Sequence, residues 1–328
     1  MDALKIASGI DIPGAATRIE EHVRRTPLTP FAVADPRIDL RLKLECEQET
    51  GAFKARGAAN TIASLSTEQR LAGVCATSSG NHGRALAWAA RRAGVKATLY
   101  MPANIYPTKL EACRAEKADV VLCETRAEAE LRCAAHVEEG AVLVHPYDAE
   151  RTIEGAGTVG LEIAQDWPDV ELVLFPVGGG GMLAGSSLAI AQCLGDEVAV
   201  LGVEPEGSPN MLRALEAGKP VPIDPIETKV QGLCPIEVGA RNLALCMRYV
   251  EGIVTLSDQE IYDGQRELVQ AGHTVEPAGA AAFAAIYIGA IPTELLEGRD
   301  AGNPLRVACV ISGGNADPEQ LESLRSRD

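Results

Sequence analysis

Four turns rich in glycine, serine and asparagine carry the residues that could do chemistry. The first contains Lys54, which follows Phe53 and a glycine-containing entry and stands where a helix is expected to begin. The positive end of a helix dipole disfavours a cation, so the simplest alternative is an exposed, solvated lysine. A lysine partly removed from water at such a place loses its proton more easily, as the nucleophile of a Schiff base must. Lys54 is therefore a candidate covalent nucleophile.

The second turn joins a predicted strand to a predicted helix and is suited to a carboxylate. Its hydroxyls, side-chain amide and backbone N–H groups stand at a helix start, where anions bind. A simple capping turn is the alternative. The histidine is better explained as a structural hydrogen-bonding residue than as a base. The residues of this turn are Ser78, Ser79, Gly80, Asn81 and His82.

The third turn is a run of four glycines between a predicted strand and a predicted helix. Four glycines are costly in conformational entropy and provide no side chain for packing. Their use is to let several backbone N–H groups point at one phosphate at a helix N-terminus, with a merely flexible turn as the alternative. The run is neither a dinucleotide fingerprint nor a P-loop, since no Gly-Lys-Ser/Thr follows. It comprises Gly178, Gly179, Gly180 and Gly181, with Met182 adjoining.

The fourth turn begins at Ser312, after a predicted strand at residues 306–310. A hydroxyl at the carboxyl end of a strand can face a ligand. Together the four turns specify one site that contains a lysine, a carboxylate-binding turn, a phosphate cradle and a neutral hydrogen-bonding group.

Alternating apolar strands and alanine-rich amphipathic helices must position these turns. Strand-helix units repeat from about residue 40 to the end of the sequence. Units of this length predict parallel sheets with helices on both faces. Ligands of such sheets lie at the carboxyl ends of the strands, where the glycine-rich turns fall. The sequence therefore predicts an α/β protein of two domains, each a twisted, mainly parallel sheet flanked by helices.

These segments resemble the fold-type II pyridoxal-phosphate (PLP) enzymes, in the branch of threonine/serine dehydratases and serine racemase. Residues 50–58 are similar to the segment with the Schiff-base lysine, residues 78–83 to the turn that holds the substrate carboxylate, and residues 178–181 to the phosphate loop. The resemblance covers nearly the whole chain and implies a tryptophan synthase β-like fold. It implies a discontinuous large PLP-binding domain (1–72 and 148–328) and a small domain (73–147) that closes over the substrate.

The resemblance also implies a role for each matched residue. Lys54 would hold PLP and remove the α-proton, Phe53 would lie against the cofactor, and Asn81 would bond its 3-hydroxyl. The four glycines and Met182 would hold the phosphate, and Ser312 would meet the pyridine nitrogen. Glu276 lies in a further recurring segment, residues 276–280, of the cofactor site. The substrate-binding residues would be Ser78, Ser79, Gly80, Asn81, His82 and Gly232.

The activity implied is that of a dehydratase, an ammonia-lyase. A small β-hydroxy amino acid, threonine- or serine-like or hydroxyaspartate-like, would lose water and give a 2-keto acid and ammonia. A neutral Ser312 fits β-elimination, because an unprotonated ring is a weaker electron sink than the protonated ring of a transaminase. The alternatives are an amino-acid racemase that uses Lys54 and Ser79 on the two faces, a β-replacing synthase and a non-catalytic PLP-binding protein. The synthase is disfavoured because His82 stands where that branch usually has threonine.

The sequence departs from the family pattern at three places. Ala52 stands where serine is commoner. Gln231 lies in a Val-Gln-Gly-Leu run that replaces the usual Ala-Asp-Gly near the substrate, which puts plain threonine or serine in doubt. The divalent-cation site of serine racemase would be matched by Glu204, the carbonyl of Ser208 and Asn210. Asn210 in place of an acid removes one charge from a site for Mg²⁺ or Ca²⁺.

The composition excludes other classes of protein. A net charge of −16 repels nucleic-acid phosphates and anionic lipids, so neither is an expected partner. The 9 cysteines lack zinc-ligand or disulfide-framework spacing, which indicates a reduced, cytoplasmic protein. No apolar run is long enough for a membrane span. A homodimer is expected from the resemblance alone.

Overall fold

Ten strands in two sheets and fourteen α-helices form the framework of the computed structural model, which describes residues 2–78, 80–103 and 107–325. The strands are β1 Leu28–Phe31, β2 Ile38–Lys43, β3 Val74–Thr77, β4 Ala97–Pro102, β5 Asp119–Cys123, β6 Val142–Leu143, β7 Leu172–Pro176, β8 Ala199–Pro205, β9 Gly252–Leu256 and β10 Leu305–Val310. The helices are α1 Ala3–Gly9, α2 Ile12–Ile19, α3 Lys54–Ala63, α4 Thr67–Ala72, α5 Asn81–Ala93, α6 Pro107–Ala115, α7 Arg126–Glu138, α8 Glu150–Asp166, α9 Gly181–Leu194, α10 Asn210–Ala217, α11 Ala240–Tyr249, α12 Asp258–Gln270, α13 Pro277–Tyr287 and α14 Pro318–Arg325.

The two sheets are mainly parallel, as the sequence predicts. The six-stranded sheet has the order β1-β2-β10-β7-β8-β9, and the pairing of β1 with β2 is its antiparallel one. The four-stranded sheet, β5-β4-β3-β6, is parallel throughout. All four of its strands lie within residues 73–147, the segment expected to form the small domain.

The central strands of the larger sheet are buried on both faces. Every residue of β7 and β8 is buried, which is why these strands are continuous apolar runs rather than alternating ones. Helices α8 and α9 cover one face, and α12 and α13 cover the other. The alanine-rich sequence of α13 lets it lie close to the strands, and its residues 278–286 are all buried.

Five helices were not predicted from the sequence: α1, α2, α4, α11 and α14. They are additional to a simple alternation of one strand and one helix, and most are only two turns long, so periodicity is a weak signal for them. Helix α4 nevertheless has a capping box formed by Ser66 and Gln69. Strand β2 ends at Lys43, because a 3-10 turn begins at Glu45.

A buried cluster of charges fastens the start of α3 to its neighbours. Arg56 donates to Glu45 Oε1 at 2.7 Å and to Glu162 Oε1 at 2.6 Å, and Lys43 Nζ lies 2.5 Å from Glu162 Oε2. The charges of two cations and two anions compensate one another, which lowers the free-energy cost of burying them. Helix α3 is thereby tied to β2 and α8, two residues beyond Lys54.

None of the helices in the described ranges combines the length and the apolar character that a membrane-spanning segment requires.

Candidate active site

A cavity of about 520 Å³ lies at the carboxyl ends of strands from both sheets. Thr77 and Pro102 come to it from β3 and β4, and Pro176 comes from β7. It brings together residues that are up to 259 positions apart in the sequence. The expected site residues that line it are Phe53, Lys54, Ser78, Gly80, Asn81, His82, Gly178, Gly179, Gly180, Gly181, Met182, Gly232, Glu276 and Ser312.

Lys54 is the first residue of α3, and its side chain faces this cavity. The ammonium Nζ donates to the carbonyl of Pro146 at 2.6 Å and lies 4.9 Å from the centroid of the Phe53 ring. Burial lowers the pKa of Lys54 to about 8. The direction agrees with the sequence-based expectation, since burial disfavours the charged form of an amine. Lys54 therefore has an appreciable population of free amine near neutral pH.

The predicted carboxylate turn forms the N-terminus of α5. Gly80 is the residue before the helix and Asn81 is its first residue. The Asn81 amide donates to Glu276 Oε1 at 2.5 Å and accepts from Asn315 at 2.8 Å. Ser79, the expected second acid of a racemase, lies outside the described residues.

His82 is buried, and its Nε2 lies 2.8 Å from the carbonyl oxygen of Val144. Since a carbonyl only accepts, Nε2 carries the proton and donates it. Burial, with the nearby Lys54 charge, lowers the pKa of His82 to about 3. His82 is thus a neutral hydrogen-bonding residue, the role that the sequence analysis favours. It also lines the cavity.

The four glycines lead directly into α9. Gly180 has a φ of +89°, in the left-handed region, and the first intrahelical bond runs from Ala184 N–H to its carbonyl. The N–H groups of Gly181, Met182 and Leu183 therefore have no partner within the helix. An added Cβ at Gly179 would lie 2.2 Å from the ring of Tyr147, and one at Gly178 would lie 2.8 Å from a backbone oxygen. Only glycine fits this loop, which presents backbone donors to an anion.

Asn242 and Tyr147 hold the glycine loop, and neither was identified from the sequence. The Asn242 amide donates to the carbonyls of Gly179 at 2.7 Å and Tyr147 at 3.0 Å. The Tyr147 hydroxyl donates to the carbonyl of Glu237 at 3.1 Å. No local motif could have identified these residues, because they belong to separate elements that meet only in the fold.

Ser312 lies at the end of β10 and is 5% exposed. Its backbone carbonyl accepts from Phe53 N–H at 3.0 Å, which places the Ser312 turn beside the start of α3. Its neighbour Gly313 lies against Glu276, since an added Cβ there would be 2.4 Å from Glu276 Oε1. The hydroxyl-bearing turn and the lysine are thus on one side of the cavity.

The residues expected to hold a divalent cation lie close together, and Glu204 is the one acid among the three. Glu204 accepts from the N–H groups of Met211 at 2.8 Å and Leu212 at 3.0 Å, and burial raises its pKa to about 8. The Asn210 amide directs its N–H groups at Ser208 Oγ and the Pro235 carbonyl. A hard cation prefers several anionic oxygens, whereas the described residues hold no group of three metal-ligating acids, histidines or cysteines. The cation site stays a prediction, and no chemistry is derived through it.

The cavity suits PLP. The glycine loop offers backbone N–H groups for a phosphate, Lys54 offers an amine for the aldehyde, and Ser312 offers a neutral group for the ring nitrogen. The glycine loop is the feature of the structure that fits a phosphate most directly, because a Cβ at its positions would fill the space beside its backbone N–H groups.

Comparisons with known proteins agree with a site for PLP. Residues 19–313 match the model of the family described as pyridoxal-phosphate dependent enzyme. The L-threonine ammonia-lyase of Thermotoga maritima is 37% identical over 96% of this chain and 77% of its own length. The phenylserine dehydratase of Ralstonia pickettii is 36% identical over 93% of this chain and 92% of its own length. The structure of maize serine racemase covers 95% of this chain and 94% of its own, with a TM-score of 0.87 and 30% identity. The chain belongs to the family of pyridoxal-phosphate-dependent enzymes.

Proposed function

We propose that this protein is a PLP-dependent ammonia-lyase that converts a small β-hydroxy amino acid into a 2-keto acid and ammonia. The observation that carries the proposal is the cavity, whose lining includes the Lys54 amine with its lowered pKa, the four-glycine loop and Ser312. The relatives named as a threonine ammonia-lyase and a phenylserine dehydratase support the same reaction class.

Different residues of the chain would bind different parts of the cofactor and the substrate. The N–H groups at the start of α9 would hold the phosphate, and Lys54 would hold the carbon of the aldehyde. Asn81, fixed by Glu276 and Asn315, would orient the ring through its 3-hydroxyl. The turn at the start of α5 would bind the carboxylate of the substrate. Such placement leaves the substrate's α- and β-carbons near the Lys54 amine.

The chemistry of elimination then depends on proton transfer by this chain. PLP supplies an electron sink that makes the α-proton of a bound amino acid acidic. The amine of Lys54 would remove that proton, and its lowered pKa suits a general base near neutral pH. Ser312 has no charge with which to hold the ring nitrogen protonated, which favours loss of the β-hydroxyl over transamination.

Two further parts of the proposal concern the whole molecule. We propose that residues 73–147 close over the bound substrate and exclude water, as catalytic lids do. We also propose a homodimer, on the resemblance to the family alone.

The proposal is tested with purified protein reconstituted with PLP. Serine, threonine, 3-hydroxyaspartate and phenylserine are supplied, and keto acid, ammonia and D-amino acid are measured. We expect keto acid and ammonia in equal amounts, and a loss of at least 1000-fold in kcat for Lys54→Ala, in line with removal of a group that both binds and transfers protons. D-amino acid without keto acid would identify a racemase instead. No turnover of any substrate, with bound PLP, would identify a binding protein.

A further inference from the structure

Arg126 is a second cationic residue, besides Lys54, that lines the cavity. It is the first residue of α7, just beyond the carboxyl end of β5, and it lines the cavity together with Ser78 and Pro102. Among the described lining residues, Lys54 and Arg126 are the two that carry an ammonium or guanidinium group, and Glu276 is the acid. An arginine keeps its charge at every physiological pH.

The stability of α7 does not explain this arginine. A cation in the first turn opposes the helix dipole, whereas Thr125 already caps the helix. Arg126 pairs with Glu130 at 3.0 Å, but the acid follows the base by four residues, which is the weaker order. Both side chains of the pair are 53% exposed, so the pair itself contributes little. The position of Arg126 therefore calls for another reason.

The strand order places Arg126 within reach of a ligand held by the carboxylate turn. The ends of β5, β4 and β3 are adjacent, with Arg126 following the first and Ser78 the last. Two strand spacings are about 10 Å, and the long arginine side chain covers much of that gap. Arg126 also lies near the Tyr147 phenol, where its charge opposes the rise in pKa that burial causes. A ligand between these walls would have one end at Ser78 and the other near the guanidinium.

Gln231 supports the same conclusion. It lines the cavity with a neutral amide. Such a side chain carries no negative charge that would repel an anionic substituent. The cavity therefore has a cation on one side and no acid at position 231, in a protein whose net charge is −16. Since the overall charge repels anions, local cations are what would admit one.

We propose that Arg126 is a specificity-determining residue that selects β-hydroxy amino acids with a second carboxylate, of the 3-hydroxyaspartate class. This inference rests on the proposed ammonia-lyase function. The α-carboxylate binds at the start of α5, and the β-carboxylate pairs with the guanidinium, a geometry for which arginine is suited. Loss of water from 3-hydroxyaspartate, followed by hydrolysis of the resulting enamine, gives oxaloacetate and ammonia with atoms and charge in balance.

The test compares kcat/KM for 3-hydroxyaspartate stereoisomers, serine, threonine and phenylserine in three proteins. These are the unchanged holoenzyme, Arg126→Gln and the control Arg132→Gln. Arg132 lies on the same helix and pairs with Glu128 at 3.5 Å, away from the cavity lining. A second measurement, calorimetric binding of succinate against butyrate to each holoenzyme, reports recognition of the second carboxylate without turnover.

We expect 3-hydroxyaspartate to be the best of these substrates. Arg126→Gln should lower its kcat/KM relative to serine by about 10- to 100-fold, the effect of losing one charge-assisted hydrogen bond. It should weaken succinate binding similarly, and Arg132→Gln should leave both ratios unchanged. Turnover of serine, threonine or phenylserine in preference to 3-hydroxyaspartate would overturn the inference and leave the ammonia-lyase function standing. An equal loss for every substrate in Arg126→Gln would also overturn it. No turnover of any substrate would refute the proposed function itself.

Discussion

At the scale of single residues, burial disfavours positive charge on two residues that line the cavity. It lowers the pKa of Lys54 to about 8 and that of His82 to about 3, and the Lys54 charge adds to the lowering at His82. His145, which lies two residues before Tyr147 in the connection between β6 and α8, also has a pKa lowered by burial. Both histidines are therefore expected to be neutral near pH 7, which supports the proposal that Lys54 exchanges protons with a bound substrate.

His82 should therefore stay neutral in mildly acidic solution. With ¹⁵N-labelled histidine, long-range ¹H–¹⁵N spectra should show the Nε2–H form of His82 down to pH 5, with His82→Gln identifying the resonance. The unfolded chain takes up this proton near pH 6.5, whereas the folded chain does so only near pH 3. Acidification between these values therefore favours the unfolded state and lowers stability. A titration midpoint of His82 above pH 5 would contradict the assignment.

At the scale of elements, the glycine loop depends on the connection between β6 and α8. Tyr147 packs on Gly179, while Asn242 holds both backbones. Asp148 accepts from the N–H groups of Ala240 and Arg241 at 3.1 Å each, so the same connection caps α11. The loop is thus fixed in shape before a phosphate binds, which saves the cost of ordering it on binding.

A methyl group at Gly179 should disrupt this arrangement. Gly179→Ala places Cβ 2.2 Å from the Tyr147 ring, so one of the two must move. Overpacking of about 1–3 kcal/mol predicts a fall in PLP affinity of about 5- to 150-fold, measured by titrating the apoprotein. Gly9→Ala, where an added Cβ meets nothing within 4 Å, should have no effect. In a Tyr147→Ala background the loss should shrink, and an unchanged loss would exclude the ring as its cause.

The sequence could predict the turns but not the residues that hold them. Lys54, the four glycines and Ser312 each belong to a local strand-turn-helix pattern. The residue types and their order in the sequence were therefore enough to predict that these turns form one site. Asn242 and Asn315 act across elements far apart in sequence, where no periodicity or spacing reports contact. Arg126 was missed for a related reason, because a charged residue at a helix start looks like ordinary surface until the strand order places it on the cavity.

At the scale of the whole molecule, a polar chain joins the two sheets beside the cavity. Arg84, on α5, donates to Asn315 Oδ1 at 2.6 Å. Asn315 in turn donates to the Thr50 carbonyl at 2.9 Å and to Asn81 at 2.8 Å. The helix that carries the carboxylate turn is thereby tied to the segment before Lys54 and to the turn after Ser312. The start of α5, the segment before Lys54 and the turn after Ser312 are therefore linked by one chain of hydrogen bonds.

Breaking the first link should loosen α5 without unfolding the protein. Arg84→Met keeps the aliphatic length but leaves Asn315 Oδ1 without its charged donor, a loss of about 1.5–3 kcal/mol. Hydrogen exchange measured by mass spectrometry should therefore speed up at least about tenfold in peptides spanning α5, while α12 and α13 stay unchanged. Arg91→Met is the matched control, since Arg91 is on the same helix but pairs with Glu116 at the surface. Equal acceleration in both variants would mean that α5 responds to any lost arginine, and that the link to Asn315 does not join the two sheets.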